Sequence, residues 1–434
     1  MARAAALLLA LALAWLLVQT AAPEAAFRAT ALAIGVALVA AALVGRLAER
    51  IGLPRVTGYL VFGLVCGPYV ANIITRPMAR ELQIVNGLAV TLIAFVAGLE
   101  MNLRRLAPRL GVIARIGGTT IVLTYVLIFS VLWAAWPWLH IAPELGGVQR
   151  IAASALLTAL VASFSPTVSI AIVAEARAAG PFTELTLAIV ILADLVLILA
   201  FTLIMEAVRV VFGSAAQVGV FAGVTWEIFG SFAFGSLAGA LFALYLTHIR
   251  REVAIAVLAF CALVAGLADT LQLEPLMSAL AAGLVVENLA PSAGDLVKGG
   301  VERSALPVLV VFFAAAGASL QLDALATLGW IALLVAGARM GAIWTAAKMG
   351  RMAAGLTDEI TAMTWMALVS QAGVTLGLTL IVESEIPGWG TTIATLMLGL
   401  IALHQFIGPV LYRTALARAG EVGRLDENEL NSQV

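Results

Sequence analysis

The sequence predicts an all-α polytopic membrane protein with about 13 transmembrane helices and an N-terminal apolar segment, on three observations. Hydrophobic residues make up 63% of the 434 positions. Charged residues make up 11%, against about 25% in a soluble domain, so polar groups cannot cover the surface in water. Mean hydropathy is +1.08, and apolar runs recur near the length of about 20 residues that spans a bilayer.

The runs fall at about 29–46, 56–74, 83–99, 111–137, 150–174, 183–210, 222–247, 253–268, 273–290, 303–320, 327–347, 358–382 and 389–412. Ahead of them, Arg3, the apolar run Ala4 to Val18 and the small residues after Thr20 fit a signal peptide or a short extra helix. Residues 1–28 are therefore set apart, 29–412 form the transmembrane domain, and 413–434 form a short polar tail. That tail is too small for a regulatory soluble domain.

Short loops give the orientation. Arg104, Arg105, Arg109, Arg115, Arg250, Arg251, Lys298, Arg303, Lys348 and Arg351 fall on one side when the spans alternate, so that side and the C-terminus are cytoplasmic. Glu144, Glu274, Asp323, Glu383 and Glu385 fall on the other, with Arg76 and Arg80 as exceptions. A net charge of −1 suggests no nucleic-acid partner. Cys66 and Cys261 form no redox or zinc motif, and His140, His248 and His404 are too scattered for a metal centre. The sequence offers an enzyme no nucleophile–base pair, and no cofactor is expected.

Charges at bilayer depth cost on the order of 2.5–3.5 kcal/mol each on insertion scales, so a deep one points to function. Asp194, in AIVILADLVLILAF, and Arg339, in LLVAGARMGAIW, are deep. The plainer reading is a structural ion pair between two helices. Span 150–174 also contains SFSPT, where Pro166 breaks the helix and Ser163, Ser165 and Thr167 can satisfy the freed backbone groups. A simple proline kink is the alternative. Span 358–382 contains SQAGV, with Gln371, Gly373 and Thr375 at mid-depth. Two interrupted helices in corresponding places point to a transporter built from inverted repeats, here 111–210 and 327–412, with the interruptions crossed at the midplane.

These segments resemble the monovalent cation/proton antiporters, chiefly the bacterial sodium/proton and potassium/proton exchangers. GRLAERIGLPRVTGYLVFGLVCGP (45–68), LIAFVAGLEMNL (92–103) and LPVLVVFFAAAGASLQL (306–322) look like family segments in order. The resemblance implies that Asp194 is the essential aspartate and Arg339 the basic residue of the later helix. It also implies a homodimer in the cell membrane, the bacterial inner membrane. Ala193 stands where many members carry a first acidic or amide residue, and Gly373 where some carry an acid.

The expected activity is exchange of Na⁺, K⁺ or Li⁺ for H⁺ by alternating access. Asp194 holds either the cation or a proton, and oxygens of Ser163, Ser165 and Thr167 complete the shell, because hard cations favour oxygen ligands. With Ala193 beside it and an arginine as the basic partner, the expected exchange is electroneutral, one for one. A bile-acid-type organic-anion/sodium symporter and a non-transporting membrane signalling module are the rivals. Glu175 reads as a solvated helix end or a gate, and Asp269 and Glu287 read as interfacial. The pairs Gly63/Gly67, Gly235/Gly239 and Gly373/Gly377 read as close helix packing.

Overall fold

The computed structural model describes residues 35, 37–75, 78, 84–99, 101–107, 110–139, 141–212, 220–248, 253–319, 322–371, 373–386 and 388–424. Segment 1–28, Arg109, Arg250 and Arg251 lie outside them. A π-helical turn Ala37–Ala41 leads into α1 (Ala42–Arg50), followed by α2 (Arg55–Cys66), α3 (Ile84–Leu99), α4 (Leu110–Leu139), α5 (Gly147–Val161), α6 (Pro166–Ala176) and α7 (Pro181–Val211). Then come α8 (Val220–His248), α9 (Val253–Thr270), α10 (Pro275–Leu289), α11 (Pro291–Ala318), α12 (Leu322–Ala353), α13 (Thr364–Ala367), α14 (Gly373–Glu385) and α15 (Trp389–Arg418). Among the described residues there is no strand.

Among the described residues, seven spans are long and apolar enough to cross a membrane, with the α5–α6 pair counted as one, and five apolar helices are shorter. Several expected spans have other limits. The span 56–74 is helical only to Cys66, because Gly67 turns extended ahead of Pro68. The span 303–320 is the second half of α11, which begins at Pro291.

The chain divides into two compact units. The first takes in the described parts of Met1–Asn102 and Phe229–Leu320. Its helices touch backbone to backbone. A Cβ on Gly63 would sit 2.0 Å from the Ala314 carbonyl, and one on Gly235 2.1 Å from that of Ser278. The first two glycine pairs therefore do pack α2 on α11 and α8 on α10. Gly377 has nothing within 4 Å, so the third pair does not share this role. Phe95, Phe242 and Phe260 fill the space between α3, α8 and α9, with Phe242 and Phe260 stacked at 4.2 Å.

Glu287 departs from its interfacial reading. It is 7% exposed, with the Asn102 amide 3.5 Å from its Oε1. The start of α11 folds back over it, and a Cβ on Gly294 would lie 2.8 Å from Oε2. Asp269 is exposed, as an interfacial residue should be.

The second unit takes in the described parts of Leu103–Ile228 and Gln321–Val434. It holds two successive runs of long, broken and long helix: α4, α5–α6, α7, then α12, α13–α14, α15. The most apolar window of the α5–α6 pair is wholly buried, whereas that of α9 is 28% buried. A helix enclosed by protein can be interrupted at membrane depth without exposing its freed amides and carbonyls to lipid.

Candidate ion-binding site

The first interruption follows from local chemistry. Pro166 has no N–H to give the preceding turn and pushes Ser165 to an extended conformation, φ −114° and ψ 106°. Pro166 thus opens α6 at its first turn, and the Ser165 hydroxyl caps it, accepting from the Val168 amide at 3.3 Å. The chain is therefore broken here, non-helical from Ser163 to Ser165, and the simple-kink reading falls. The second interruption stops α13 at Ala367 and restarts the helix at Gly373.

Each break ends a helix whose last carbonyls need partners. Arg339, on α12 and fully buried, supplies them. Its Nε donates to Val161 O at 2.7 Å and its Nη2 to Ser163 O at 2.6 Å. Nη1 donates to Val369 O at 2.7 Å, and Nη2 reaches Leu368 O at 3.3 Å. One guanidinium thus closes the C-terminal ends of α5 and α13 together, and its charge suits the partial negative charge of both. The Phe164 ring lies 5.8 Å from its carbon.

Side chains join the breaks as well. The hydroxyls of Ser163 and Thr375 are 2.6 Å apart. Gln371 Nε2 donates to Ser163 Oγ at 3.0 Å and to the carbonyls of Leu160 and Val161 at 3.2 Å. Ser169 on α6 reaches Ala367 O at 3.3 Å. On α15, Gly408 lets the second break approach closely, since a Cβ there would lie 2.2 Å from Ser370 Oγ.

Asp194 lies near the middle of α7, 2% exposed, beside buried Ala193. This helix packs on α5, α6 and α13, which border the two breaks. Ser163, Gln371, Thr375 and Arg339 are joined directly, while Ser165 and Thr167 are buried at the start of α6. Gly373 opens α14. Such an arrangement presents a buried carboxylate on a helix that borders two polar gaps, which can take up a proton or a small cation.

A model of the family described as "Sodium/hydrogen exchanger, transmembrane" matches residues 34–416. The chain belongs to that family. It is a multi-pass membrane transporter of the cation/proton antiport class, not an enzyme, and the organic-anion symporter reading is set aside. No match to a curated protein was found. Among solved structures, the exchanger resembles the sodium proton antiporter MjNhaP1 from Methanocaldococcus jannaschii at pH 8, with 19% identity and a TM-score of 0.67 over 91% of this chain and 98% of that one. An electron-microscopy structure of the same antiporter gives 19% identity and a TM-score of 0.70, over 89% and 97%. At that identity the likeness establishes a shared fold.

Three features of this exchanger escape a reading of its sequence. Glu175, expected as a solvated end or a gate, has a side chain 8% exposed and pairs with Arg413 on α15 at 3.1 Å. His404, passed over as a metal ligand, is buried on α15 and meets Gln371. A polar pair, His404–Gln405, inside the apolar run LMLGLIALHQFIGPVL was the available signal.

The third feature lies in the polar tail. Glu421 is 3% exposed and caps α7, the helix of Asp194. Its carboxylate accepts from the amides of Phe182 and Thr183, each at 2.8 Å, and from the Thr183 hydroxyl at 2.7 Å. Gly180, at φ +155°, leaves room for it, since a Cβ there would sit 2.4 Å from the carboxyl group. Glu421→Ala should lower stability by roughly 3 kcal/mol, since hydrogen bonds to a buried charge are worth about 1.5–3 kcal/mol. Thermal unfolding in detergent measures this, and an unchanged midpoint would show that the cap contributes nothing.

Proposed function

We propose that this exchanger moves one monovalent cation against one proton, with Asp194 binding either but never both. Na⁺ is the first candidate, and K⁺ and Li⁺ are to be tried beside it. The observation that carries the reading is a deep carboxylate, Asp194, together with a guanidinium that is committed to backbone carbonyls. Arginine does not release its proton in proteins, so Arg339 carries none across. Ala193 supplies no second acid.

The site then works by exclusion. Protonated Asp194 has no charge to attract a cation, and a cation on the carboxylate displaces the proton. Oxygens of Ser163, Ser165 and Thr167 complete the shell around the cation substrate. The two long–broken–long runs act as inverted repeats that expose Asp194 to each side in turn. The protein works as a homodimer in the cell membrane with its C-terminus in the cytoplasm.

Charge on the occupied carboxylate is the same in both half-cycles, so transport is electroneutral. In liposomes with Na⁺ as substrate, a K⁺ diffusion potential of either sign should leave turnover unchanged. A sustained, potential-sensitive current on a solid-supported membrane would mean a second charge moves, and the one-for-one reading would fall.

A further inference from the structure

We infer that His404 is a positioning residue for transport, holding the Gln371 amide, and through it the Ser163 hydroxyl, in the one orientation that closes the two breaks. The inference builds on the proposed reading in which Ser163 borders the cation. The direction of the Gln371 amide is fixed by its surroundings. The carbonyls of Leu160 and Val161 can only accept, so the end of Gln371 that faces them must be the NH₂. Its oxygen therefore points the other way, at His404 Nδ1, 2.9 Å distant. An amide oxygen cannot donate, so Nδ1 must carry a proton.

Turning the amide over would set its oxygen against two carbonyls and its NH₂ against an N–H. The two carbonyls thus set the orientation, and an Nδ1–H on His404 matches it. Gln371, His404 and Ser163 are each at most 1% exposed. The Ser163 hydroxyl sits where the Gln371 donor, the Leu160 carbonyl and the Thr375 hydroxyl converge, at 3.0, 2.8 and 2.6 Å. His404 belongs to α15 and Ser163 to the first break, so the chain of bonds ties the last helix to the gap ahead of α6.

Removing the donor should loosen Gln371 and raise the apparent KM for the cation, with turnover at saturation little changed. For one neutral buried hydrogen bond the rise is roughly fivefold. The test compares His404→Ala, His404→Asn and His404→Gln in liposomes, with Na⁺ pulses and a pH dye. Asparagine places its NH₂ where Nδ1 stands and should restore the KM; glutamine places its NH₂ at the Nε2 position and should not. If His404→Ala fails to fold, the asparagine–glutamine contrast still decides the matter. The double variant His404→Ala with Gln371→Ala should be no worse than Gln371→Ala alone, because one residue acts through the other.

An unchanged KM in His404→Ala, equal behaviour of the asparagine and glutamine variants, or additive losses would overturn the inference. A second readout is independent of transport. In ¹⁵N-histidine spectra of the whole protein, with three histidines to assign, the His404 signal should show a protonated Nδ1. A bare Nδ1 would also overturn it. Should the wild-type protein move no protons with any cation, the proposed function fails, while the spectra still answer for His404.

Discussion

Asp194→Asn should abolish cation-driven proton movement and leave the protein folded. The two parts of this expectation come from different physics. Asparagine has nearly the shape of aspartate, so the packing of α7 on α5 survives. Because a charge at membrane depth carries a cost of about 2.5–3.5 kcal/mol, its removal should leave folding unharmed. The amide, however, neither releases a proton nor offers a negative charge to a cation, so both half-cycles lose their carrier. With Asp194 2% exposed and Ala193 beside it, no carboxylate at the adjacent position can substitute. The measurement pairs proteoliposome fluorescence, after pulses of Na⁺, K⁺ or Li⁺, with size-exclusion chromatography of the same preparation. The expected loss is complete within detection. A well-folded Asp194→Asn protein that still exchanges ions would sink the mechanism.

Much of this site is legible in the sequence because the membrane makes polar residues conspicuous. Asp194 and Arg339 stand out in apolar runs, and Pro166 announces its break through the amide it lacks. The second break is harder to read, since no proline marks it and Gly373 alone is a weak signal. The purpose of Arg339 was beyond the sequence for another reason. A basic residue and an acidic one at similar depth invite pairing, yet a guanidinium can equally serve carbonyls far away in the chain, here those of Val161 and Val369. Glu421 was illegible because composition gives a polar tail to solvent. Only the folded chain brings its carboxylate to the free amides of Phe182 and Thr183. Glu287 failed in the same way, since the turn at Ala290 that covers it leaves no periodic signal.

Arg339→Ala should prevent the second unit from folding, or lower its melting temperature far more than any other substitution considered above. Alanine would strip the guanidinium from the carbonyls of Val161, Ser163, Leu368 and Val369 together. A buried acceptor left bare costs about 1–3 kcal/mol, and more where water cannot enter. Val161 O keeps its Gln371 donor, and the other three losses together rival the lower part of the 5–15 kcal/mol or so by which folded proteins are stable. The ends of α5 and α13, both partly negative, would also face one gap with nothing positive between them. Arg339→Lys should keep the fold and lose part of the stability, because an ammonium has three donors but not the planar fork that serves two helices at once. Pairing with Asp194 would predict a different outcome. If countering that carboxylate were the main task, Asp194→Asn would relieve the defect of Arg339→Ala. If holding the breaks is the main task, the defect persists in the Asp194→Asn background. Yield of monodisperse protein and its thermal unfolding midpoint in the single and double variants decide between them, and recovery of the double variant to wild-type stability would refute the carbonyl-capping role.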